Sequence, residues 1–88
     1  MYKKSYILNR VLAIINRQLR VDLNKSMCYL KLREDLKADS IDIVNIIVQL
    51  EIAFHLPIFD DEITQLKTIQ DITDFLDKNT NEDYFDEV

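Results

Sequence analysis

One serine of this 88-residue chain is placed where its hydroxyl could take part in covalent chemistry. Ser40 lies in the run Asp39-Ser40-Ile41-Asp42, where a polar segment is followed by an apolar segment with helical spacing. A hydroxyl at the start of a helix lies at the positive end of the helix dipole, beside N–H groups without partners in the helix. An anion attached to that oxygen, a phosphodiester above all, is favoured there. Ser and Asp are also among the best N-caps, so on Ser40 alone capping is the favoured interpretation.

The surrounding residues favour the chemical interpretation, because the whole stretch resembles the acyl carrier protein family. The attachment motif of that family is Gly-x-Asp-Ser-Leu-Asp, followed by a helix that ends in Leu-Glu-x-x-Phe. The corresponding runs here are Lys37-Ala38-Asp39-Ser40-Ile41-Asp42 and Leu50-Glu51-Ile52-Ala53-Phe54. The resemblance covers residues 5–77 without a gap.

This resemblance implies a carrier of acyl groups that bears 4′-phosphopantetheine on Ser40, and not an enzyme. A phosphopantetheinyl transferase would activate the Ser40 hydroxyl to attack the pyrophosphate of coenzyme A. The product is a phosphodiester-linked arm whose terminal thiol carries acyl groups as thioesters to acyl-transferring or acyl-synthesising enzymes. Asp39 and Asp42 would help the transferase to dock and orient. The core would shelter part of an acyl chain between helices.

The apolar segment after Ser40 has two apolar stripes at helical spacing, whereas a bundle helix normally has one. The first should fill the core and comprises Ile43, Ile46, Ile47, Leu50 and Phe54. The second, here called the outward stripe, comprises Ile41, Val44, Val48 and Ile52. An exposed apolar stripe beside the attachment residue predicts a docking surface for partner proteins. Scattered exposed aliphatic residues are also common, and other segments can cover them.

The resemblance adds acidic residues to this docking surface. In the family, the positions that match Ile41, Val44 and Val48 are apolar partner contacts, and acidic residues around them contact basic patches on enzymes. The resemblance and the outward stripe together predict these partner-recognition residues: Asp39, Ile41, Asp42, Val44, Val48, Glu51 and Ile52.

Several positions depart from the usual pattern of the family and indicate a specialised carrier. Asn45 and Ile52 occupy positions where the family usually has Glu, which makes this helix more apolar and less acidic than that of a housekeeping carrier. Lys37 replaces the loop Gly of the motif, and Ile41 replaces the common Leu. A carrier that serves a dedicated enzyme fits these differences better than one with the usual set of partners.

The elements that position Ser40 are helices. Apolar spacing predicts a first helix over Ser5–Leu19, followed by a long loop over residues 20–38. The second helix should begin at Asp39 or Ser40, with Asp39 and Asp42 as a capping box, and end near His55 because Pro57 disfavours helical geometry at the preceding residue.

A short helical turn at Asp60–Leu66 and a last helix complete the predicted fold. Thr68 should cap the last helix, with Asp71 placed to reach back to the cap. The inward residues of the last helix should be Ile69, Ile72, Phe75 and Leu76. The sequence therefore predicts an all-α fold, a small four-helix bundle with three longer helices and one short helix, and a long loop between helices 1 and 2.

Length and charge indicate one domain, residues 1–88, with an ordered bundle over about 5–77. Residues 79–88 lack a helical period and predict a flexible acidic tail. Residues 1–38 hold nine basic and three acidic residues, whereas residues 39–88 hold two basic and thirteen acidic residues, which gives the net charge of −5. An acidic half that begins next to Ser40 would steer basic partner surfaces toward the attachment site.

Other classes of function are disfavoured by the same composition. The basic residues are scattered and the acidic half repels phosphate, so we expect no nucleic-acid binding. We expect neither a signal peptide nor a membrane span, and a monomer in the reducing cytoplasm. Cys28 has no second cysteine to pair with, and no Cys/His cluster indicates a metal site. His55, the one histidine, has no nucleophile in evident reach, so we predict no catalytic residues.

Two alternatives from other functional classes remain open from the sequence. The chain could be an unmodified adaptor that binds a partner through the outward stripe alone. It could also be an aminoacyl or peptidyl carrier, although Asp39 before Ser40 favours the acyl type, because peptidyl carriers tend to have His there. The acylation pathway (fatty-acid, polyketide or specialised) also stays open.

Overall fold

The computed structural model describes the backbone of residues 2–86 and the side chains of residues 2–80. Its α-helices are α1 (Lys4–Leu19), α2 (Ser40–Phe54), α3 (Asp60–Ile63) and α4 (Ile69–Asp86), and a 3₁₀ turn spans Lys25–Met27. Three longer helices, one short helix and a long loop between α1 and α2 confirm the predicted all-α bundle. None of the helices in this described part is long and apolar enough to cross a bilayer.

The core lies where α1 packs against α2 and α4. Each of the three helices contributes one apolar stripe, as amphipathic helices in bundles do. The fully buried apolar side chains are Ile7, Val11 and Ile15 of α1, Ile46 and Leu50 of α2, and Ile69, Ile72 and Leu76 of α4. Phe75, predicted to face inward, is only half-buried at the edge of this core.

A surface ion pair joins α1 to α4. The Lys4 ammonium lies 2.8 Å from the Asp74 carboxylate. The hydrogen bond from Lys4 lowers the pKa of Asp74 below its ordinary value of 3.8, and the same bond raises the pKa of Lys4. Both side chains are more than half exposed, so the contribution of this pair to folding stability is small.

Local chemistry sets both ends of α2 where the sequence predicted them. The Asp42 N–H donates to Asp39 Oδ1 at 2.9 Å, and the Asp39 N–H donates to Asp42 Oδ2 at 3.2 Å, which completes the capping box. The helix ends at Phe54, and His55 follows in the left-handed conformation, with φ 52°. The N-terminus of α2 is therefore fixed by the residues on either side of Ser40.

The start of α4 shows the same reciprocal arrangement. The Asp71 N–H donates to Thr68 Oγ1 at 2.9 Å, and the Thr68 N–H donates to Asp71 Oδ2 at 3.0 Å. This confirms the prediction that Thr68 caps the last helix. The same hydrogen bonds fix the start of α4, to which the long loop is bonded.

Backbone hydrogen bonds hold the long loop against the start of α4. The Leu32 N–H donates to the Lys67 carbonyl at 2.9 Å, and the Gln70 N–H donates to the Cys28 carbonyl at 2.8 Å. Between these bonds, Lys31 and Thr68 form an isolated antiparallel bridge. The Ala38 N–H then donates to the Leu32 carbonyl at 2.9 Å, just before the helix that begins with Ser40. The loop is therefore an ordered support for the start of α2.

The last helix extends into the acidic end of the chain. α4 continues to Asp86, and the ordered bundle over about residues 5–77 that the sequence predicted stays a prediction. Extending an existing helix is much easier than nucleating one, so the missing hydrophobic period did not end it. Asn79 and Thr80 also donate side-chain hydrogen bonds to the Phe75 and Leu76 carbonyls within the helix. The side chains of residues 81–86 and all of residues 87–88 lie outside the described part, and the flexible tail stays a prediction.

Candidate functional site

The hydroxyl of Ser40 is not needed to cap α2. Ser40 is the first residue of the helix, and its side chain is exposed. The capping oxygen belongs to Asp39, the preceding residue. The capping role that the sequence allowed for either residue of this run therefore belongs to Asp39 and not to Ser40. The Ser40 Oγ remains available at the positive end of a helix of 15 residues.

The two carboxylates beside Ser40 are engaged within the chain. Asp39 Oδ1 accepts from the Asp42 N–H, and Asp42 Oδ1 accepts from Gln18 Nε2 at 3.2 Å. Within the described part of the chain, no acceptor is bonded to the N–H of Ser40 or of Ile41. An anion on Ser40 would therefore meet two free backbone donors in the first turn of α2.

A cationic side chain that the sequence analysis did not single out lies beside Ser40. Arg33 Nη2 is 3.4 Å from Ser40 Oγ, a long hydrogen bond between two exposed side chains. Six residues of irregular loop lie between the two positions, so no periodic pattern could have revealed the contact. The only signal in the sequence was a basic residue in the loop that precedes the motif.

A groove of about 290 Å³ extends from Arg33 between the long loop, α2 and α3. Its apolar lining could shelter an apolar group that reaches it from Ser40. The lining residues are Leu32, Arg33, Glu34, Ile43, Ile63, Thr64, Leu66 and Lys67. Ile43 was assigned to the core from the sequence but is only half-buried, because the four-residue α3 leaves this side of α2 open. That an acyl chain is sheltered inside the bundle stays a prediction.

The outward stripe is exposed, as the sequence predicted. The exposed fractions are 70% for Ile41, 58% for Val44, 44% for Val48 and 69% for Ile52. On the same helix Ile46 and Leu50 are fully buried. Four large aliphatic residues thus form an apolar strip that begins next to Ser40.

The remaining candidate residue, Glu51, has a structural contact. Its Oε2 accepts from the Ile58 N–H at 2.8 Å, which holds the turn after α2 against the helix. Asn45, which replaces a Glu of the family pattern, is exposed. Ile52 lies at the other end of the outward stripe and also lines a depression of about 280 Å³ between α1 and α2. Partner recognition by these residues stays a prediction.

Comparison with known proteins gives a consistent result over most of the chain. Residues 9–76 match the sequence profile of the family described as "Phosphopantetheine attachment site". The acyl carrier protein of Thermosynechococcus vestitus is 45% identical over 73 residues, which cover 83% of this chain and 90% of the relative. The chain belongs to the acyl carrier protein family. The acyl carrier proteins of Bdellovibrio bacteriovorus and Helicobacter hepaticus are 41% and 36% identical, each over 78% of this chain and over 88% and 91% of the relatives.

As a member of this family, the chain carries acyl groups on a covalently attached 4′-phosphopantetheine. These relatives do not favour the alternatives of an unmodified adaptor or an aminoacyl carrier. The geometry also suits the group, since an exposed hydroxyl, free helix N–H groups and a guanidinium meet at one point. Among the described residues, no group of three or more His, Cys, Asp or Glu side chains could hold a metal ion.

Proposed function

We propose that Ser40 is the residue to which phosphopantetheine is attached. The observation that carries the proposal is that Asp39 caps α2, which leaves the Ser40 hydroxyl exposed at the positive end of the helix. In the reaction, Ser40 Oγ forms a bond to the β-phosphorus of coenzyme A as the bond between that phosphorus and the bridging oxygen breaks. Adenosine 3′,5′-bisphosphate leaves, and the hydroxyl proton passes to a base of the transferase.

The one histidine of the chain is too far from Ser40 to act as the base in this step. His55, its only histidine, follows the C-terminus of α2, whereas Ser40 begins the helix. Fifteen helical residues separate the two by about 22 Å at 1.5 Å per residue. We therefore propose that the transferase brings the base to Ser40. We accordingly propose a carrier without catalysis of its own, in which the motion of the arm between partner enzymes provides the function.

Partner enzymes, in this proposal, dock on the outward stripe. The stripe begins beside Ser40, so a partner that covers Ile41 and Val44 has the root of the arm at its edge. Burial of exposed aliphatic area supplies the attraction, at about 25 cal/mol per Å². The acidic second half of the chain adds long-range attraction for basic enzyme surfaces. The transferase and the acyl-transferring or acyl-synthesising enzymes would use this same surface in turn.

Two exposed residues on α2 support the proposal that this carrier serves one dedicated partner enzyme. Asn45 lacks the negative charge that the family pattern has there, and Ile52 extends the apolar strip by one residue. Less rim charge weakens steering by many basic enzymes, while more apolar area favours one complementary surface. We therefore propose a specialised monomeric carrier. We place it in the cytoplasm, where the thiol of the arm stays reduced.

Modification of the purified chain tests the attachment residue. The protein is incubated with coenzyme A and a broad-specificity phosphopantetheinyl transferase and then weighed intact. We expect the mass to increase by one phosphopantetheine in the native protein and not in Ser40→Ala. Ser5→Ala is the matched control, because Ser5 is also exposed near the start of a helix.

Two outcomes would contradict the proposal. Modification that persists in Ser40→Ala would place the arm on another residue. No mass gain with several transferases would leave the unmodified adaptor as the better interpretation.

A further inference from the structure

The guanidinium of Arg33 faces the oxygen that is to carry the arm. Its Nη2 lies 3.4 Å from Ser40 Oγ. Within the described part of the chain, no carboxylate lies at salt-bridge distance from Arg33, and the nearby Glu34 pairs with Lys31 at 3.6 Å. Arg33 therefore brings a cationic group beside Ser40, and no carboxylate among the described side chains pairs with it.

Attachment of the arm changes the charge balance at this point. A phosphodiester brings one negative charge to Ser40, between the carboxylates of Asp39 and Asp42 on the same turn. Both carboxylates are committed to the capping box, so they stay beside the phosphate and repel it. The helix N–H groups offset part of this repulsion. A cation within reach of the phosphate offsets more, and Arg33 is the side chain that already contacts the oxygen.

We propose that Arg33 pairs with the phosphodiester on Ser40 and thereby sets the direction in which the arm leaves the protein. The proposal rests on Ser40 being the attachment residue. The non-bridging oxygens lie one bond beyond the phosphorus on Oγ, within reach of a side chain that contacts Oγ itself. A guanidinium can bind two of these oxygens at once with its planar fork, which a Lys ammonium cannot do.

The position of Arg33 determines the direction in which the arm would leave Ser40. Its side chain lines the groove between the long loop, α2 and α3, together with Ile43 and Leu66. The outward stripe lies on the side of α2 that this groove does not include. A phosphate held by Arg33 therefore directs the first bonds of the arm toward the groove and away from the docked partner. Arg33 is in this sense a positioning residue for the arm.

Phosphorus NMR of the modified protein measures this contact directly. The native chain, Arg33→Gln, Arg33→Lys and the control Lys37→Gln are each loaded with phosphopantetheine from coenzyme A. Lys37→Gln removes the same charge from a neighbouring exposed position. Arg33→Gln should shift the ³¹P resonance and lower its transverse relaxation rate by about twofold, because an unpaired surface group regains fast local motion. Lys37→Gln should match the native protein, and Arg33→Lys should lie between the two.

Salt provides a second measurement that a purely structural role of Arg33 would not affect. Raising the ionic strength to about 1 M shortens the Debye length to about 3 Å and screens an exposed ion pair. The native ³¹P resonance should then move toward that of Arg33→Gln, whose own resonance should change less.

The outcomes separate this inference from the proposed function. Intact mass and peptide mapping first establish that Ser40 carries the arm in every variant. If Ser40 is modified but the native protein, Arg33→Gln and Lys37→Gln give the same ³¹P shift, relaxation and salt dependence, the pairing is wrong and the attachment stands. If Ser40 is not modified in the native chain, both are overturned.

Discussion

The two faces of α2 have nearly the same residue types and opposite surroundings. Ile46 and Leu50 are fully buried in the core that α2 shares with α1 and α4, whereas Ile41 and Ile52 on the other side are about 70% exposed. Aliphatic composition therefore does not decide which face of this helix is core. The buried face is the one that joins the core shared with α1 and α4, and the other face is exposed.

This difference predicts that folding stability and partner binding depend on opposite faces of one helix. A side chain on the inward face contributes to folding through contacts made within the chain. A side chain on the outward stripe makes few such contacts, so its apolar area is available for binding. Substitutions on the two faces should then affect different measurements.

The largest expected effect is on the inward face. Leu50→Ala removes a fully buried side chain and should lower the free energy of unfolding by about 2–5 kcal/mol, because the lost contacts leave a cavity. Val48→Ala, its control on the outward stripe, should change it by less than about 0.5 kcal/mol. Urea unfolding followed by circular dichroism measures both. Equal losses at the two positions would show that the faces do not differ in this way.

The next effect is on binding and appears on the outward stripe. Val48→Asp places a charge in the centre of the stripe and should lower kcat/KM of the phosphopantetheinyl transferase by about tenfold, as loss of a central interface contact does. The melting temperature should stay nearly the same, because Val48 is exposed. Asn9→Asp adds the same charge to an exposed position of α1 and should leave the transferase unaffected. Unfolding by Val48→Asp would reverse the assignment of the faces.

A smaller effect tests how the composition of the outward face selects partners. The double variant Asn45→Glu with Ile52→Glu should increase acyl loading by a housekeeping synthase by about two- to tenfold at low salt, since rim charges act mainly on the association rate. The gain should shrink as salt is raised. Ser5→Glu with Asn9→Glu on α1 is the control for added charge. Efficient loading of the native chain, unchanged by the double variant, would indicate an ordinary fatty-acid carrier.

The smallest expected effect concerns the surface ion pair between α1 and α4, which lies on neither face of α2. Asp74→Asn removes the ion pair with Lys4 and should lower the melting temperature only slightly at neutral pH, because both groups are exposed. The pKa of Asp74 is lowered in the folded protein, so its contribution is full well above pH 3.8 and is lost as the pH falls through the folded-state pKa. Melting curves of the native and variant proteins should therefore converge in strong acid. A difference that grows in acid would contradict this account.

The parts of the fold that depend on neighbouring residues could be predicted from the sequence. Asp39 with Asp42 and Thr68 with Asp71 are three residues apart, so their reciprocal hydrogen bonds follow from helix geometry alone. The same holds for the end of α2, which Pro57 sets through its effect on the preceding residue. Both stripes of α2 followed from helical periodicity.

The parts that depend on distant residues could not be predicted. Arg33 reaches Ser40 because the loop takes its path from bonds to Lys67 and Gln70, far along the chain. Ile43 has the direction of a core residue, but its exposure depends on how far the short α3 extends over it. Helical periodicity predicts the direction in which a side chain points, but it does not predict which residues pack against that side chain.

The bonds between the long loop and the start of α4 have a consequence for the order of folding. The segment from Lys31 to Ala38 takes its shape from bonds to Lys67 and Thr68, which are synthesised later. We therefore expect that α1 and α2 alone do not hold Ser40 in the position that it has in the complete fold. Contacts between positions so far apart in the chain cost more loop-closure entropy than local contacts, so we expect them to form after the local ones. A chain truncated before α4 would retain the serine and the whole of α2 and still be a poor transferase substrate. If Ser40 carries the arm, as proposed, attachment would therefore favour completely folded molecules over partly folded chains.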